Sequence, residues 1–455
     1  MLHRRQFLSS LATPLLAQHR PLNIVVLFTD DQRFSTIRAL GNREISTPNM
    51  DRLVRSGTAF THAHIMGGTT GAVCVPSRAM LMTGQSLFHV HRSIVEPQKY
   101  PEAAKKPFHL FPEVFRQAGY DTFGCGKWHN QPELYARCFS SGGPIFFGGM
   151  SDQNHVSVAD FNPAGQYPPS QRHTADRYSS EMFASAAVDF LRQRKPAGNP
   201  FLAYVAFTSP HDPRTAPAKF AAMYSPDKVS LPKNFRPEHG FDNGELKVRD
   251  ELLAGFPRTE AEVRRHLADY YAMVSEVDAQ IGRVLDTLDS TGLAEKTLVV
   301  FAGDNGLAVG QHGLMGKQNV YDHSVRIPLV LRGPGIPRGR RDPSLVYTID
   351  VFPTLCRRAG LAIPSTVEGT DLFTGPRRDS IFCGYRTFMR SVRTKDDWKL
   401  IRYTVNGTER FQLFNLRADP DEMNDLATAQ PGRVAQLRTL LAEWQRLQDD
   451  ILPAS

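Results

Sequence analysis

Three segments of the chain are almost continuously apolar over the length of a single β-strand, at residues 22–28, 200–207 and 297–302. An uninterrupted apolar run indicates a strand that is covered on both faces, as the strands of a parallel sheet are. A shorter strand is predicted at residues 121–123. The pattern therefore predicts a sheet that is largely parallel.

Between these strands, apolar residues recur at helical spacing. The clearest case is residues 260–291, where apolar side chains fall on one helical face and Gly292 follows. Thr47 is expected to cap a helix over residues 47–57, with Pro48 in its first turn. Residues 142–172 are rich in Gly, Pro, Ser and Asn and predict a long loop, and residues 214–257 predict an irregular excursion. Further helices are predicted over residues 108–118, 179–194, 349–360 and 432–451.

This alternation predicts an α/β fold with a large mixed, mostly parallel sheet sandwiched by helices. Beyond about residue 380 the pattern changes to short alternating runs. Residues 398–405 and 408–414 flank Asn406-Gly407, a dipeptide typical of a tight hairpin turn. We expect a large catalytic domain over residues 21–375 and a smaller C-terminal α+β subdomain over residues 376–455, with an antiparallel sheet and a terminal helix.

Residues 1–20 do not fit the pattern of a folded domain. Arg4 and Arg5 precede a short apolar run that ends in small residues near Ala17. A basic start followed by a short apolar stretch is typical of an export signal and not of a membrane span. The paired arginines resemble a twin-arginine signal, with the general secretory route as the alternative. We expect an exported protein, periplasmic or extracellular, with no membrane span.

Composition excludes little. With 41% hydrophobic and 22% charged residues, the chain is typical of a globular protein and unlike a largely disordered one. The formal net charge of +8 favours anionic ligands. No lysine-rich tract or ladder of aromatic residues indicates nucleic acid, so a nucleic-acid partner is not expected.

Each predicted strand is followed by polar side chains that can take part in chemistry. The carboxyl ends of parallel strands meet at one edge of a sheet, where ligands of open α/β sheets bind. Adjacent carboxylates repel each other, and a divalent cation relieves this, although an aspartate pair in a loop can simply be solvated. Oxygen donors favour Ca²⁺ or Mg²⁺ over zinc. The polar residues that follow the predicted strands are Asp30 and Asp31, Lys127 and His129, His211, and Asp304 and Asn305.

Residues 69–78 combine side chains that would suit a nucleophile. Cys74, Pro76, Ser77 and Arg78 lie within five residues of each other, and an apolar helical run follows. A nucleophile at the start of a helix lies beside free N–H groups, which favour attack on an anion. The alternative is that Cys74 is a small buried hydrophobic residue and Arg78 a surface cation. The five cysteines show no metal-binding spacing, and their positions do not indicate which, if any, form disulfides.

The motif Cys74-x-Pro-Ser-Arg resembles the signature of the type I sulfatases of the alkaline phosphatase superfamily, in which this cysteine is oxidised after translation to formylglycine. Residues 119–129 resemble the second signature of that family, and His211 lies in a Pro-His-x-Pro element that the family also has. The chain departs from the family at Gln85, where arginine is usual. It also departs at Asp322-His323, where many relatives have Glu-Gly or Glu-Glu.

This resemblance implies an alkaline phosphatase-like fold and a sulfatase, most plausibly acting on a sulfated carbohydrate. It implies Ca²⁺, with Mg²⁺ as the weaker candidate, and a formylglycine-generating enzyme as a partner during maturation. By resemblance, the metal ligands are Asp30, Asp31, modified Cys74, Asp304 and Asn305. The catalytic residues are Cys74, Arg78, Lys127, His129, His211 and Lys317, and the substrate-binding residues are Lys127, His211, Lys317, Asp322 and His323.

The resemblance assigns each catalytic group a role. A hydroxyl of hydrated formylglycine, polarised by Arg78, would attack sulfur, while Lys127 and Lys317 hold the sulfate oxygens. His211, with Lys317, would protonate the departing alcohol, and His129 would take the proton of the second hydroxyl. Two other functions remain open: a phosphodiesterase or phosphonate monoester hydrolase of the same superfamily, and a catalytically silent protein that binds sulfated glycans.

Overall fold

The computed structural model describes residues 21–450, so the export signal predicted at residues 1–20 lies outside the described residues. Its strands in chain order are β1 (Asn23–Thr29), β2 (Thr58–His64), β3 (Gly67–Gly68), β4 (Asp121–Lys127), β5 (Ser141–Phe146), β6 (Ser157–Val158), β7 (His173–Thr174), β8 (Phe201–Ala206), β9 (Thr297–Gly303), β10 (Leu329–Arg332), β11 (Arg340–Tyr347), β12 (Ser380–Tyr385), β13 (Met389–Thr394), β14 (Trp398–Val405) and β15 (Thr408–Asn415).

The helices range from single turns to a long helix of 31 residues, α9. In chain order they are α1 (Pro48–Ser56), α2 (Cys74–Thr83), α3 (Leu87–Val90), α4 (Pro101–Ala104), α5 (Phe111–Gln117), α6 (Pro132–Cys138), α7 (Ser179–Arg192), α8 (Ala218–Ala221), α9 (Glu260–Ser290), α10 (Asp322–Val325), α11 (Val351–Ala359) and α12 (Pro431–Leu447). No helix within residues 21–450 is both long and apolar enough to span a bilayer.

The central sheet has eight strands in the order β11-β2-β10-β9-β1-β8-β4-β5. Strands β9, β1, β8, β4 and β5 run parallel, whereas β10 is antiparallel to both of its neighbours. Strand β1 is buried on both faces because its side chains alternate between two cores. Ile24, Val26 and Phe28 pack in one core, and Val25 and Leu27 pack in the other.

Helices cover both faces of this sheet. Helices α1, α7 and α9 contribute to the core on one side. Helices α2, α5 and α11 contribute to the core on the other side, which also takes in the second sheet. The fold class expected from the sequence is therefore confirmed.

The second sheet has the order β15-β14-β13-β12-β3 and is antiparallel except where β12 pairs with β3. Four of its strands and α12 lie beyond residue 376. Its edge strand β3 comes instead from the segment just before Cys74. A Cβ on Gly67 would lie 2.0 Å from the carbonyl oxygen of Gly384, so only glycine allows the two chains to approach this closely. The division at residues 375 and 376 remains a prediction.

Local patterns located most elements but not all. Helix α5 begins at Phe111 and not at residue 108, and β4 continues to Lys127 beyond the predicted strand at residues 121–123. The loop predicted over residues 142–172 was partly wrong, because most of β5 and all of β6 lie there, and β7 follows directly. Glycine favoured the loop prediction, yet Gly142 is required in β5: a Cβ there would lie 2.3 Å from the hydroxyl of Tyr135.

Candidate active site

Four neighbouring parallel strands bring the predicted side chains to one edge of the central sheet. Thr29 at the end of β1 is opposite Gly303 of β9, and Phe28 is opposite Ala206 of β8. Gly126 of β4 is also opposite Ala206. Because these strand ends are in register, the residues that follow them share one location.

Helix α2 begins at Cys74 and provides Arg78 one turn later. Arg78 is completely buried, and its Nη2 lies 3.0 Å from Oδ2 of Asp304 and 3.6 Å from Oδ1 of Asp30. Its Nη1 donates to the carbonyl oxygen of Lys127 at 2.8 Å. Although burial opposes the charge, Asp304 and Asp30 raise the pKa of Arg78, so its guanidinium is a fixed cation.

Two buried lysines complete the positive side of the site. Lys127 Nζ contacts the carboxylate of Asp30 and donates to the carbonyl oxygen of Gly149. Lys317 Nζ lies 2.6 Å from Oδ1 of Asp31 and 3.1 Å from Sγ of Cys74. Burial opposes the charge of Lys317, but Asp31 and Cys74 raise its pKa well above the usual value. The ammonium group of Lys317 therefore remains charged beside residue 74.

The pKa values of Asp30 and Asp304 are shifted in opposite directions, although burial alone would raise both. Burial would raise the pKa of Asp30, but Lys127, His211 and Arg78 outweigh it and lower that pKa. Asp304 is also completely buried, and burial together with the charge of Asp30 raises its pKa to about 6. The site therefore contains closely spaced carboxyl groups that compete for the same cations.

Two histidines flank the site. His211 Nε2 lies 3.5 Å from Oδ2 of Asp31, and its Nδ1 lies 2.7 Å from the carbonyl oxygen of Asp212. His129 has an unpartnered buried Nδ1. Burial, and then the charges of Lys127 and Arg78, lower the pKa of His129, so its ring is neutral.

The backbone is constrained at the ends of two of these strands. Asp31 has φ 62° and His129 has φ 51°, in the left-handed region that non-glycine residues rarely adopt. Such conformations cost roughly 1–3 kcal/mol each and concentrate at functional sites. The cost is consistent with a geometry that the surrounding packing imposes on both side chains.

Cys74 is buried at the N-terminus of α2, and burial raises the pKa of its thiol to about 12 even though Lys127 and Lys317 act in the opposite direction. An unmodified Cys74 would therefore be almost entirely protonated at neutral pH and a poor nucleophile. All five cysteines are free and buried, so no disulfide forms among them.

A buried group of side chains in this site could hold a metal ion. One side-chain donor atom from each of Asp30, Asp31, Cys74 and His211 lies within 4.8 Å of the others. Asp30 Oδ1 is buried without a hydrogen-bond partner. Unpartnered buried oxygens are costly, and a cation would satisfy them. Asn305 directs Nδ2 toward Asp31 at 2.6 Å, so an oxygen ligand requires this amide to turn over about χ2.

A half-exposed arginine beside this site was not identified from the sequence. Arg249 contacts the carboxylate of Asp212, the neighbour of His211, and its Nη2 lies 2.7 Å from Oδ1 of Asp250. Arg249 lies in the excursion over residues 214–257, where no local pattern distinguishes it from other surface cations. Only the general tendency of long loops to carry binding residues could have directed attention to this region.

A second half-exposed arginine comes from the turn between β12 and β13. The Arg386 guanidinium lies over Gly71, where a Cβ would be 3.1 Å from Nη2, and it pairs with Glu245 at 2.9 Å. Gln318 links this side to Lys317, because it accepts from the Lys317 N–H and donates to the carbonyl oxygen of Gly71. Arg249 and Arg386 thus approach the site from two sides.

Asp322 lies in a separate cluster of ion pairs, whereas the backbone of His323 packs against Gly306, next to Asn305. Lys399 and Arg393 hold the Asp322 carboxylate at 2.8 and 2.9 Å. Within residues 21–450, no hydrogen bond or ion pair joins Asp322 or His323 to the residues around Cys74. Their predicted role in substrate binding stays a prediction. Gln85, where the family usually has arginine, leaves its Oε1 buried without a partner.

Comparisons with known proteins agree with this geometry. A family model described as "Sulfatase" matches residues 22–361, and one described as "N-sulphoglucosamine sulphohydrolase, C-terminal" matches residues 310–449. An N-acetylglucosamine-6-O-sulfatase from Bacteroides thetaiotaomicron is 24% identical over 97% of this chain and 89% of its own length.

Two solved structures share the fold. A protein in complex with its substrate D-glucosamine-2-N,6-O-disulfate has a TM-score of 0.73 at 22% identity, over 96% of this chain and 100% of its own. The phosphonate monoester hydrolase of Agrobacterium radiobacter has a TM-score of 0.73 at 21% identity, over 94% of this chain and 96% of its own. At these identities the likeness concerns the fold alone.

Proposed function

This chain belongs to the sulfatase family and is a sulfuric ester hydrolase, and from that premise we propose that it removes sulfate from a sulfated carbohydrate by means of an aldehyde made from Cys74. The observation that carries the proposal is the position of Cys74. Its thiol is buried at a helix N-terminus between two charged lysines, where a thiolate does not form. An oxygen nucleophile at this position would avoid that difficulty.

The charges around residue 74 suit an anionic ester. Three buried carboxylates, of Asp30, Asp31 and Asp304, face three buried cations, of Arg78, Lys127 and Lys317. Asp30, Asp31, residue 74, Asp304 and Asn305 would hold Ca²⁺, or less readily Mg²⁺. The bound ion would supply the surplus positive charge that stabilises negative charge on sulfate and on the nucleophile. Lys127 and Lys317 would then hold the sulfate oxygens.

The proposed reaction has two steps at residue 74, whose aldehyde is present as the hydrate. In the first, one hydroxyl oxygen, polarised by Arg78, attacks sulfur. The bond between sulfur and the ester oxygen breaks, and the sulfuryl group passes to residue 74. His211, assisted by Lys317, donates a proton to the departing alcohol, and the proton lost by the attacking hydroxyl returns to His211 through solvent.

In the second step the neutral ring of His129 takes the proton of the remaining hydroxyl. The carbon–oxygen bond to sulfate breaks, the aldehyde forms again and sulfate leaves. Water then hydrates the aldehyde. Serine or cysteine could not regenerate itself by this elimination, because its carbon carries no second hydroxyl. Conversion of the Cys74 side chain from CH₂SH to CHO is an oxidation, which we assign to a separate formylglycine-generating enzyme.

A sulfated glucosamine is the substrate class that we favour. The second family model, the curated relative and the first structural match are all named for sulfated glucosamine derivatives. Arg249 and Arg386 could contact further anionic groups of such a sugar, because both are half-exposed beside the site. We further propose that residues 1–20 direct export to the periplasm or the cell exterior, where sulfated glycans are met.

Mass spectrometry combined with kinetics tests this proposal. The tryptic peptide over residues 56–78 should carry the mass change from CH₂SH to CHO, and Cys74→Ala should abolish hydrolysis of an aryl sulfate. Cys356→Ala, which removes a buried thiol from α11, is the matched control and should retain activity. Full sulfatase activity from protein whose Cys74 is entirely a thiol would overturn the mechanism.

The shared fold with a phosphonate monoester hydrolase supports a second candidate function. The ratio of kcat/KM for p-nitrophenyl sulfate to that for p-nitrophenyl phenylphosphonate, a phosphonate monoester, separates the two. A ratio well above one supports the sulfatase assignment. A ratio well below one would favour the phosphonate hydrolase.

A further inference from the structure

A cavity of about 600 Å³ lies outside the site around Cys74. Its walls come from the segment after β1, from residues 230–234, from α10 and from residues 420–422. Asp322 and His323, expected from the resemblance to bind substrate, line it, whereas none of the residues proposed for catalysis or metal binding does. The cavity therefore needs an explanation other than bond cleavage at residue 74.

Arg33 lies at the wall of this cavity and is 2% exposed. Its Nε and Nη1 are buried without a hydrogen-bond partner. Within residues 21–450 no carboxylate lies within 4.0 Å of its guanidinium. In the described part of the chain, Arg33 has one cation–π contact: its Cζ lies 5.1 Å from the centroid of the Tyr270 ring. A buried guanidinium without a counter-charge is costly, which favours binding of an anion.

His323 adds a second unsatisfied group to the same cavity. Both of its ring nitrogens are buried without a partner. Burial, then the charges of His312 and Arg33, lower its pKa well below the usual value, so the ring is neutral and offers one N–H donor. An anion on Arg33 could accept that hydrogen bond.

Most carboxylates that line the cavity are already engaged. Lys399 pairs with Asp322 at 2.8 Å and with Glu422 at 2.7 Å, and Oε2 of Glu44 accepts from the Ser230 N–H at 3.2 Å. Asp421 also lines the cavity, and its side chain has no ion pair within the described residues. Arg43 and Lys233 are cations that also line the cavity, and neither forms an ion pair within residues 21–450. The unengaged charges are therefore mainly positive.

We propose that this cavity is a second anion-binding site, in which Arg33 and His323 bind a tetrahedral oxyanion of the size of sulfate. The oxyanion is either free sulfate or the sulfate group of a carbohydrate, since both present the same oxygens. The site shares a loop with the catalytic residues. The backbone N–H of Arg33 donates to the Tyr270 hydroxyl. That hydroxyl donates in turn to the carbonyl oxygen of Asp31 at 2.7 Å.

Anomalous diffraction locates such a site directly. Crystals grown without sulfate or phosphate are soaked in selenate, which has the shape and charge of sulfate and a strong anomalous signal. We expect a selenium peak in the cavity beside Arg33, whether or not one is also present beside Lys317. Selenate at the catalytic site only, or a cavity that holds only water, would overturn the proposal.

Equilibrium dialysis with radiolabelled sulfate gives a test in solution. Wild-type protein should bind sulfate at two sites, and Arg33→Gln should retain one. Arg192→Gln removes an exposed charge from α7 and is the control, which should keep both sites. Should Arg33→Gln fail to fold, His323→Leu should weaken the second site at least severalfold. Unchanged stoichiometry and affinity in both variants would contradict the inference.

Competition distinguishes the two sources of the oxyanion. Glucosamine 6-sulfate is titrated against labelled sulfate in Cys74→Ala and in Cys74→Ala/Arg33→Gln, neither of which should hydrolyse the sugar, and the difference isolates the Arg33 site. Displacement at a lower concentration than inorganic sulfate requires identifies a sulfated sugar as the ligand. Displacement only at a similar or higher concentration identifies free oxyanion.

Discussion

Replacement of Lys317 by methionine tests the electrostatic part of the mechanism, because it preserves side-chain length and removes the charge. The ammonium lies 3.1 Å from Sγ of Cys74 and 2.6 Å from Asp31. A unit charge at about 4 Å in an effective dielectric of about 20 contributes about 4 kcal/mol. Loss of one fixed donor to a developing oxyanion costs about 2.7–4 kcal/mol. We therefore expect kcat to fall by about 10²–10³-fold.

The same substitution should destabilise the metal-free protein. Lys317 is 3% exposed, and its loss leaves Asp31 with the weaker partners Asn305 and His211. Removal of one member of a buried ion pair costs about 3–5 kcal/mol. Urea unfolding with and without added Ca²⁺ measures this cost, and we expect Ca²⁺ to restore part of the stability because it would replace the lost positive charge.

A matched control separates the two effects. Arg378, whose side chain is 16% exposed, pairs with the buried Asp350 at 2.6 and 2.7 Å, and no hydrogen bond or ion pair within residues 21–450 joins either of them to the residues around Cys74. Arg378→Met should lose stability to a similar degree while the folded enzyme keeps a kcat close to that of the wild type. A Lys317→Met enzyme that is destabilised but turns over an aryl sulfate at the wild-type rate would refute the assigned role of Lys317.

Three further predictions follow from individual contacts. His211→Gln should lower kcat on a sugar sulfate by about 10²–10⁴-fold but affect an aryl sulfate much less, because an aryl oxide leaves without a proton; equal losses would argue against a general acid. Arg249→Met should raise KM for a sulfated glucosamine relative to a small aryl sulfate, and an unchanged ratio would exclude substrate contact. Glu368 and Asp449 hold His89, and the bond from Glu368 raises its pKa. Below pH 6.5, the ordinary pKa of histidine, wild-type protein should therefore have a larger free energy of unfolding in urea than His89→Gln. This difference should disappear as pH rises through the raised pKa. A difference that stays constant with pH would show that His89 does not titrate there.

The sequence by itself determined the elements whose signals are local. The apolar run before Asp30 specified a strand buried on both faces, because every side chain on it had to be covered. The residues that follow β1, β4, β8 and β9 were identified from the sequence because parallel strands place their carboxyl ends together. The motif at Cys74 identified the family, which the comparisons confirm. The roles of the site residues, the metal and the modification of Cys74 remain predictions.

Only the tertiary structure decided the features that depend on contacts between residues far apart in the sequence. Strand β5 is glycine-rich and reads locally as a loop, yet hydrogen bonds to β4 make it a strand. Arg249 and Arg386 reach the site across gaps of more than a hundred residues from Cys74, and no local pattern marks them. Asp322 pairs with Lys399 and Arg393, partners that no local pattern indicated, and its expected role in substrate binding remains a prediction. The physical reason is that periodicity reports which faces a segment must bury, whereas the partner of a charged side chain is fixed only when the chain has folded.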